Sequence, residues 1–350
     1  MSRYVSPRVT RRQTLGFLAG AAGGLALHGC ARSSNVETLA SATDLVPATM
    51  ATTAWIGNSA LYVADEKNFF RNAGLDLTIR TYSTVAESFP ALSIGQVQAV
   101  SPVASEAVLL ASEGIDYRIV AVMDTSSGAD AILARNSVTD IADFRGRRVA
   151  VQRGGVGHFF LLQVLAEAGL TEQDITIVDT TPEAGVAAYE AGNVEIAYSY
   201  PPYIDSALVA QRDGRVIYDT SQMPTAILDF YAFTTNFIET QPDAVRAFVS
   251  SIFRAVDLIK TNDNSALSIA AKRLDVTASD LKTQLEGIDL PDLQTNQDML
   301  ANPDSDLYLV EPLTALAEFL VEQNQITEVP NMANFIDPQF VQNLSAEAST

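Results

Sequence analysis

Val149-Ala-Val-Gln152-Arg-Gly-Gly155-Val-Gly157-His158-Phe-Phe-Leu-Leu-Gln-Val-Leu-Ala-Glu-Ala168-Gly169 settles the fold class of this 350-residue chain. Val149 to Gln152 is a short apolar run that reads as a strand. A glycine-rich turn follows. An apolar-rich stretch from Val156 to Ala168 then stops at Gly169, as a helix with a glycine C-cap does. Strand, turn and helix in immediate succession are the repeating unit of an α/β sheet. The same unit recurs on both sides. Downstream, strands are expected at Ile175–Val178, Glu195–Tyr198 and Val216–Tyr218, with helices at Glu183–Ala191 and Tyr203–Gln211. Upstream, strands are expected at Thr52–Ile56, Leu75–Tyr82, Ala99–Pro102, Tyr117–Met123 and Ala129–Ala134, with helices at Ala60–Phe70, Val85–Ile94 and Ala104–Glu113. Alternation of this kind predicts parallel sheets with helices on both faces.

The remainder is helical. Val245, Phe248, Val249, Ile252, Phe253, Val256 and Ile259 recur at spacings of three and four after Pro242, which gives one long amphipathic helix with its stripe in the core. Two α/β series predict two lobes. Residues 49–135 and 233–335 are assigned to the first, and 136–232 to the second. The crossings are expected near Arg135–Asp140 and Asp229–Thr235, and 336–350 is expected to be a frayed polar tail. In such architectures a ligand lies in the crevice at the carboxyl ends of the strands.

Residues 1–29 have the layout of a secretory signal: Arg3, Arg8, Arg11 and Arg12, then an apolar stretch from Leu15 to Leu27 too short to span a bilayer. The arginine pair suggests twin-arginine export. Thr14 stands where that motif has Phe, so the general secretory route stays open. Cys30 closes the stretch after Leu27-His28-Gly29 and resembles the lipobox cysteine of bacterial lipoproteins. It is the expected lipid anchor, with residues 30–48 as a tether and a periplasmic or cell-surface location. It is also the only cysteine, so neither an internal disulfide nor a cysteine metal site is available. The chain carries 22 basic against 42 acidic residues, a net charge of −20. Removing the four signal arginines leaves 18 against 42. This charge argues against nucleic acid and anionic lipid as partners. Of two histidines only His158 lies outside the signal, so no metal or cofactor is expected.

Several segments, in order and at matching spacing, resemble one family: Ala60-Leu-Tyr-Val-Ala-Asp-Glu-Lys-Asn-Phe-Phe70 with Ala73-Gly-Leu-Asp-Leu77, Ala91-Leu-Ser-Ile-Gly95, Ile141-Ala-Asp-Phe-Arg-Gly-Arg-Arg-Val-Ala150, Ala184-Gly-Val-Ala-Ala-Tyr-Glu-Ala-Gly192 and Tyr200-Pro-Pro-Tyr203. They resemble the substrate-binding proteins of nitrate, sulfonate and taurine ABC importers, whose wider family includes binders of thiamin pyrimidine precursors. The resemblance implies a type II periplasmic-binding fold, with two lobes, a hinge and a ligand cleft. It also implies a monomer, a small-molecule ligand, ABC permease and ATPase partners, and no catalysis. One branch of the superfamily is enzymatic and uses an active-site histidine with a cysteine-rich iron motif, which this chain lacks. A sensory rather than transport role remains a second alternative.

Candidate ligand contacts follow from position. Gly155 and Gly157 let backbone approach a ligand at a helix N-terminus; a plain tight turn is the alternative. His158 either orients the ligand or caps local structure. Trp55 at a strand end faces the cleft or the core, and Asn58 offers an amide or forms a turn. Ser101 sits at a strand's carboxyl end. Ser127 and Asp130 lie in the loop 126–130, which links two strands at the lobe junction. Tyr198, Tyr200 and Tyr203 supply an aromatic wall. The family's sulfonate-binding hydroxyls are replaced by Gly155-Val156-Gly157, and its Trp-Glu-Pro-Tyr becomes Tyr200-Pro-Pro-Tyr203. The first change argues against a sulfonate, taurine or nitrate type of anion, the second against an amine recognised through that Glu, and an aromatic or weakly polar, pyrimidine-like solute is favoured.

Overall fold

The computed structural model describes residues 45–347, apart from Pro202, Gln211, Pro224 and Thr225. The signal segment and Cys30 lie outside the described residues. Among the described residues, eleven strands form two sheets. The first contains β1 (Val46–Thr53), β2 (Leu75–Tyr82), β3 (Ala99–Val100) and β4 (Tyr117–Ser126). The second contains β5 (Ala131–Arg135), β6 (Arg148–Val151), β7 (Thr176–Asp179), β8 (Ile196–Ser199) and β9 (Gly214–Asp219). The chain then returns to the first sheet with β10 (Leu228–Thr234) and β11 (Ile288–Asp289). The strand orders are β11-β4-β10-β3-β1-β2 and β7-β6-β8-β5-β9.

The expected α/β architecture is present, but the sheets are mixed rather than parallel. β10 runs antiparallel to β3 and β4, and β5 runs antiparallel to β8 and β9. The cause lies in the crossings. The chain leaves the first sheet straight along β4 and enters the second at β5. It returns from β9 into β10, so no crossover helix reverses its direction on either passage.

The crossings also lie earlier in the chain than expected. They fall between Ser126 and Ala131 and between Asp219 and Leu228, so β5 belongs wholly to the second sheet and β10 wholly to the first. The expected crossing positions, near Arg135 and Asp229, are corrected accordingly. The joint is tied by hydroxyls: Ser126 and Thr220 share a hydrogen bond of 2.7 Å across the two passages. The Gly128 amide donates to Thr220 Oγ1 at 2.8 Å, and the Ser127 amide donates to the Gly287 carbonyl at 2.8 Å.

Three further expectations change. β1 begins at Val46, inside the expected tether, and pairs with β2 along its whole length. Pro47 hides this start in the sequence. It is tolerated because β3 pairs only with Met50 and Ala51, leaving β1 one neighbour at that point. The expected helix 60–70 is two helices, Ser59–Glu66 and Phe69–Asn72, broken at Asn68, which is left-handed at φ 57°. The expected tail contains the helix Gln339–Glu347, anchored by buried Phe340 and Val341. The Asp337 amide leads into it by donating to the Ile119 carbonyl at 2.9 Å. Polar neighbours mask this short apolar pair in the sequence.

The long helix Pro242–Lys260 forms as its periodicity predicts, with proline in its first turn and its stripe buried. Phe248 stacks on Phe70 at 5.3 Å between centroids and meets Tyr231 and Phe233 edge-on, each at 5.1 Å. This aromatic cluster, on the helix Pro242–Lys260, the helix Phe69–Asn72 and β10, is the centre of the first sheet's core.

Candidate functional site

A cavity of about 50 Å³ lies where the carboxyl ends of parallel strands in the two sheets meet. From the first sheet come Thr53 at the end of β1, Trp55 just after it, Ser101 and Val103 after β3, and Asp229 in β10. From the second come Gln152, Gly155 and Gly157 after β6, Pro182 after β7, and Tyr198 and Tyr200 at the end of β8. Trp55 and Tyr200 meet edge to face across the gap, with centroids 5.5 Å apart. Tyr200 in turn contacts Tyr198 at 6.0 Å and Tyr203 at 5.8 Å.

The sequence candidates divide. Trp55, Ser101, Asp130, Gly155, Gly157, Tyr198 and Tyr200 line the cavity. Asn58 does not. It is fully buried, accepts from Thr52 Oγ1 at 2.9 Å and donates to the Thr53 carbonyl at 3.0 Å, so it pins the end of β1. Ser101 joins that network by donating to Thr52 Oγ1 at 2.7 Å. Ser127 belongs to the joint between the two sheets. Tyr203 stands behind Tyr200, in a neighbouring hollow with Thr181 and Glu183. His158 faces away from the cavity. Its Nδ1 accepts from the Gly154 amide at 3.1 Å and its Nε2 lies 3.1 Å from Glu172. This fixes the proton on Nε2. Burial lowers the His158 pKa, against the opposing pull of Glu172.

Gly157 has a steric role. A Cβ there would lie 2.0 Å from the Tyr198 ring, so only glycine lets the helix Val156–Glu167 start against that ring. Gly57 does the same for Trp55. A Cβ there would sit 1.7 Å from Asp124 Oδ2, the atom that accepts the Trp55 indole N–H at 2.9 Å.

The carboxyls are what the sequence reading missed. Besides Asp130, Glu106 and Asp229 line the cavity, and Asp124 lies behind Trp55. All four are buried. Asp124 and Asp229 stand directly opposite on β4 and β10, and Asp229 also bridges to Val103. Glu106 accepts the Val103 amide at 3.2 Å, and Asp130 accepts the Tyr198 hydroxyl. No lysine, arginine or histidine is among the lining residues. The available signal was faint: Asp124 and Asp229 interrupt otherwise apolar strands, and Glu106 interrupts an apolar helix start.

The family model described as NMT1/THI5 like matches residues 56–266. The chain belongs to the NMT1/THI5-like family. The taurine-binding periplasmic protein of Escherichia coli strain K12 is 25% identical over 290 residues, covering 79% of this chain and 87% of that protein. The alkanesulfonate-binding protein SsuA from Xanthomonas axonopodis pv. citri, solved bound to MOPS, superposes with a TM-score of 0.68 at 18% identity, over 83% of this chain and 98% of that one. The desulfurization enzyme DSZB superposes with a TM-score of 0.63 at 17% identity, over 86% and 99%. At such identities the two structures speak to fold alone, and the fold is the periplasmic-binding one that the resemblance implied.

The electrostatics of this NMT1/THI5-like cavity follow from burial without cations. Burial raises Glu106 from its ordinary 4.5 to about 7, against the pull of the Val103 and Ala86 amides. It raises Asp130 to about 6, opposed by the Tyr198 and Ser126 hydrogen bonds. Burial raises Asp124, and burial together with the nearby acids holds Asp229 well above the usual range.

Two outcomes are expected. Gly157→Ala should cost about 1–3 kcal/mol by driving Tyr198 off Asp130, while Gly155→Ala, whose Cβ meets nothing nearer than 3.4 Å, should cost less than 1 kcal/mol; urea denaturation compares them. Glu106 should give the empty protein a pH-dependent loss of stability. Between about pH 4.5 and 7 the unfolded chain releases this proton and the folded chain retains it, so stability falls as pH rises. The loss is about 3 kcal/mol for this one group. Glu106→Gln should therefore melt higher than the wild type at pH 8 and match it near pH 4, and equal melting temperatures at both pH values would refute the assignment.

Proposed function

We propose that this chain is the extracytoplasmic solute-binding component of an ABC importer and captures a small organic solute by closure of two lobes. The observation that carries the reading is the cavity itself. Its walls come from both sheets, and Trp55 and Tyr200 meet across it from opposite sides. A solute held there contacts both lobes at once and so shifts an open–closed equilibrium toward the closed form. Similarity to the taurine-binding periplasmic protein supports the same role. The lining residues include neither cysteine nor histidine, and His158 is committed to Glu172, which favours capture over nucleophilic chemistry. Permease and ATPase subunits are the partners this role requires. The folded protein is proposed to act as a monomer, anchored by lipid at Cys30. The aromatic wall suits a planar or alkyl portion of the solute.

A thermal-shift panel of small organic solutes on the exported protein should find one that stabilises it, by about 2.7 kcal/mol at a hundredfold excess over Kd. Trp55→Ala and Tyr200→Ala should each weaken that binding at least about tenfold. A panel without a single stabilising solute, or a hit indifferent to both substitutions, would overturn the reading. Cys30→Ser should move the exported protein from the membrane to the soluble fraction, and unchanged fractionation would remove the lipid anchor from the proposal.

A further inference from the structure

The cavity's chemistry goes beyond capture of an unspecified solute. Three carboxyl side chains, Glu106, Asp130 and Asp229, line a space with no basic residue among its lining residues. Asp130 is only 2% exposed. One of its oxygens takes the Tyr198 hydroxyl, and the other, Oδ2, has no protein partner. Thr84 Oγ1 and Gln152 Oε1, also on the lining, are likewise buried without a partner. The wall therefore presents three acids and several unpaired acceptor atoms, and a cation bearing N–H donors would satisfy the acceptors and favour the ionised form of the acids.

We propose that the captured solute carries a primary ammonium group, held at Asp130 Oδ2, with Glu106 and Asp229 on the same walls adding negative charge, between the rings of Trp55, Tyr198 and Tyr200. Three N–H donors match the unpaired acceptors, whereas a quaternary ammonium has none to offer. Aromatic faces add attraction for any such cation. A metal ion is disfavoured, because among the described residues no group of three His, Cys, Asp or Glu side chains is placed to hold one. The inference rests on the receptor reading and narrows it to one solute class.

The opposite chemistry makes a distinct prediction. Carboxyls that stay protonated would donate to an anion, and such binding would weaken as pH rises. Ammonium binding needs carboxylates and tightens as pH rises. The groups that titrate against the ligand are Glu106, Asp130 and Asp229 on the walls, with Asp124 behind Trp55. The Tyr198 and Tyr200 phenols are pushed up by burial and stay protonated throughout.

The test uses the single tryptophan, Trp55, as its reporter. The exported protein is titrated with ethanolamine, taurine and β-alanine, and with their amine-free matches ethylene glycol, isethionate and 3-hydroxypropionate. At least one amine should change Trp55 fluorescence with an affinity about tenfold or more above its match. Its affinity should rise from pH 5.5 to 7.5. Glu106→Gln and Asp130→Asn should each weaken it by about tenfold or more, with Glu106→Gln deciding the matter if Asp130→Asn does not fold. A match that binds as tightly as its amine, or binding that weakens with rising pH, would overturn the ammonium and leave the receptor intact. Silence from both sets would also overturn the ammonium, and the receptor reading would then be judged on the wider panel alone.

Discussion

Asp124 and Asp229 face each other across β4 and β10, fully or almost fully buried, and no cation lines the adjoining cavity. Like charges directly opposite on neighbouring strands repel, and burial makes each ionised form costly. Burial and the mutual repulsion of the two carboxyls favour a protonated form of the pair. The site depends on that constraint. Asp124 fixes Trp55 through the indole N–H, Gly57 leaves room for that bond, and Asp229 helps to line the cavity. A fold optimised for stability alone would have placed apolar residues here. Buried carboxyls of this kind lower the stability of the fold locally, a cost that functional sites characteristically carry.

The two crossings explain how residues so distant in sequence converge. β4 passes directly into β5, and β9 returns to β10, with the Ser126–Thr220 hydroxyl pair clasping both passages. A short double strap therefore joins the two sheets. The carboxyl ends of β1 and β3 in one sheet face those of β6, β7 and β8 in the other. Trp55 and Tyr200 form the contact across the gap. Asp130 sits just before β5, so it belongs to the strap and to the cavity at once.

Much of this was legible in the sequence, where short-range chemistry decided the outcome. The run Val149–Gly169 announced a strand, a glycine turn and a helix, and the structure forms them as Arg148–Val151 and Val156–Glu167. The periodicity after Pro242 announced the long core helix. Gly155, Gly157, Tyr198 and Tyr200 were found because glycines at strand-to-helix turns and aromatics at strand ends are local signals. Ser127 and His158 were equally plausible by position, yet their polar groups serve the strap and Glu172. Glu106 and Asp229 escaped notice because an isolated acid in an apolar run gives no hint of what will lie beside it.

The sequence by itself determined the α/β character, the family and the glycine and aromatic framework of the cleft, because each depends on neighbours a few residues apart. The tertiary structure alone decided the mixed strand directions, the helical packing of the chain's last described residues and the acidity of the cavity. Those depend on pairings between segments far apart in the chain. The register of β4 against β10 sets Asp124 opposite Asp229 across more than a hundred residues, and burial without a cation then turns ordinary carboxylates into proton-holding groups.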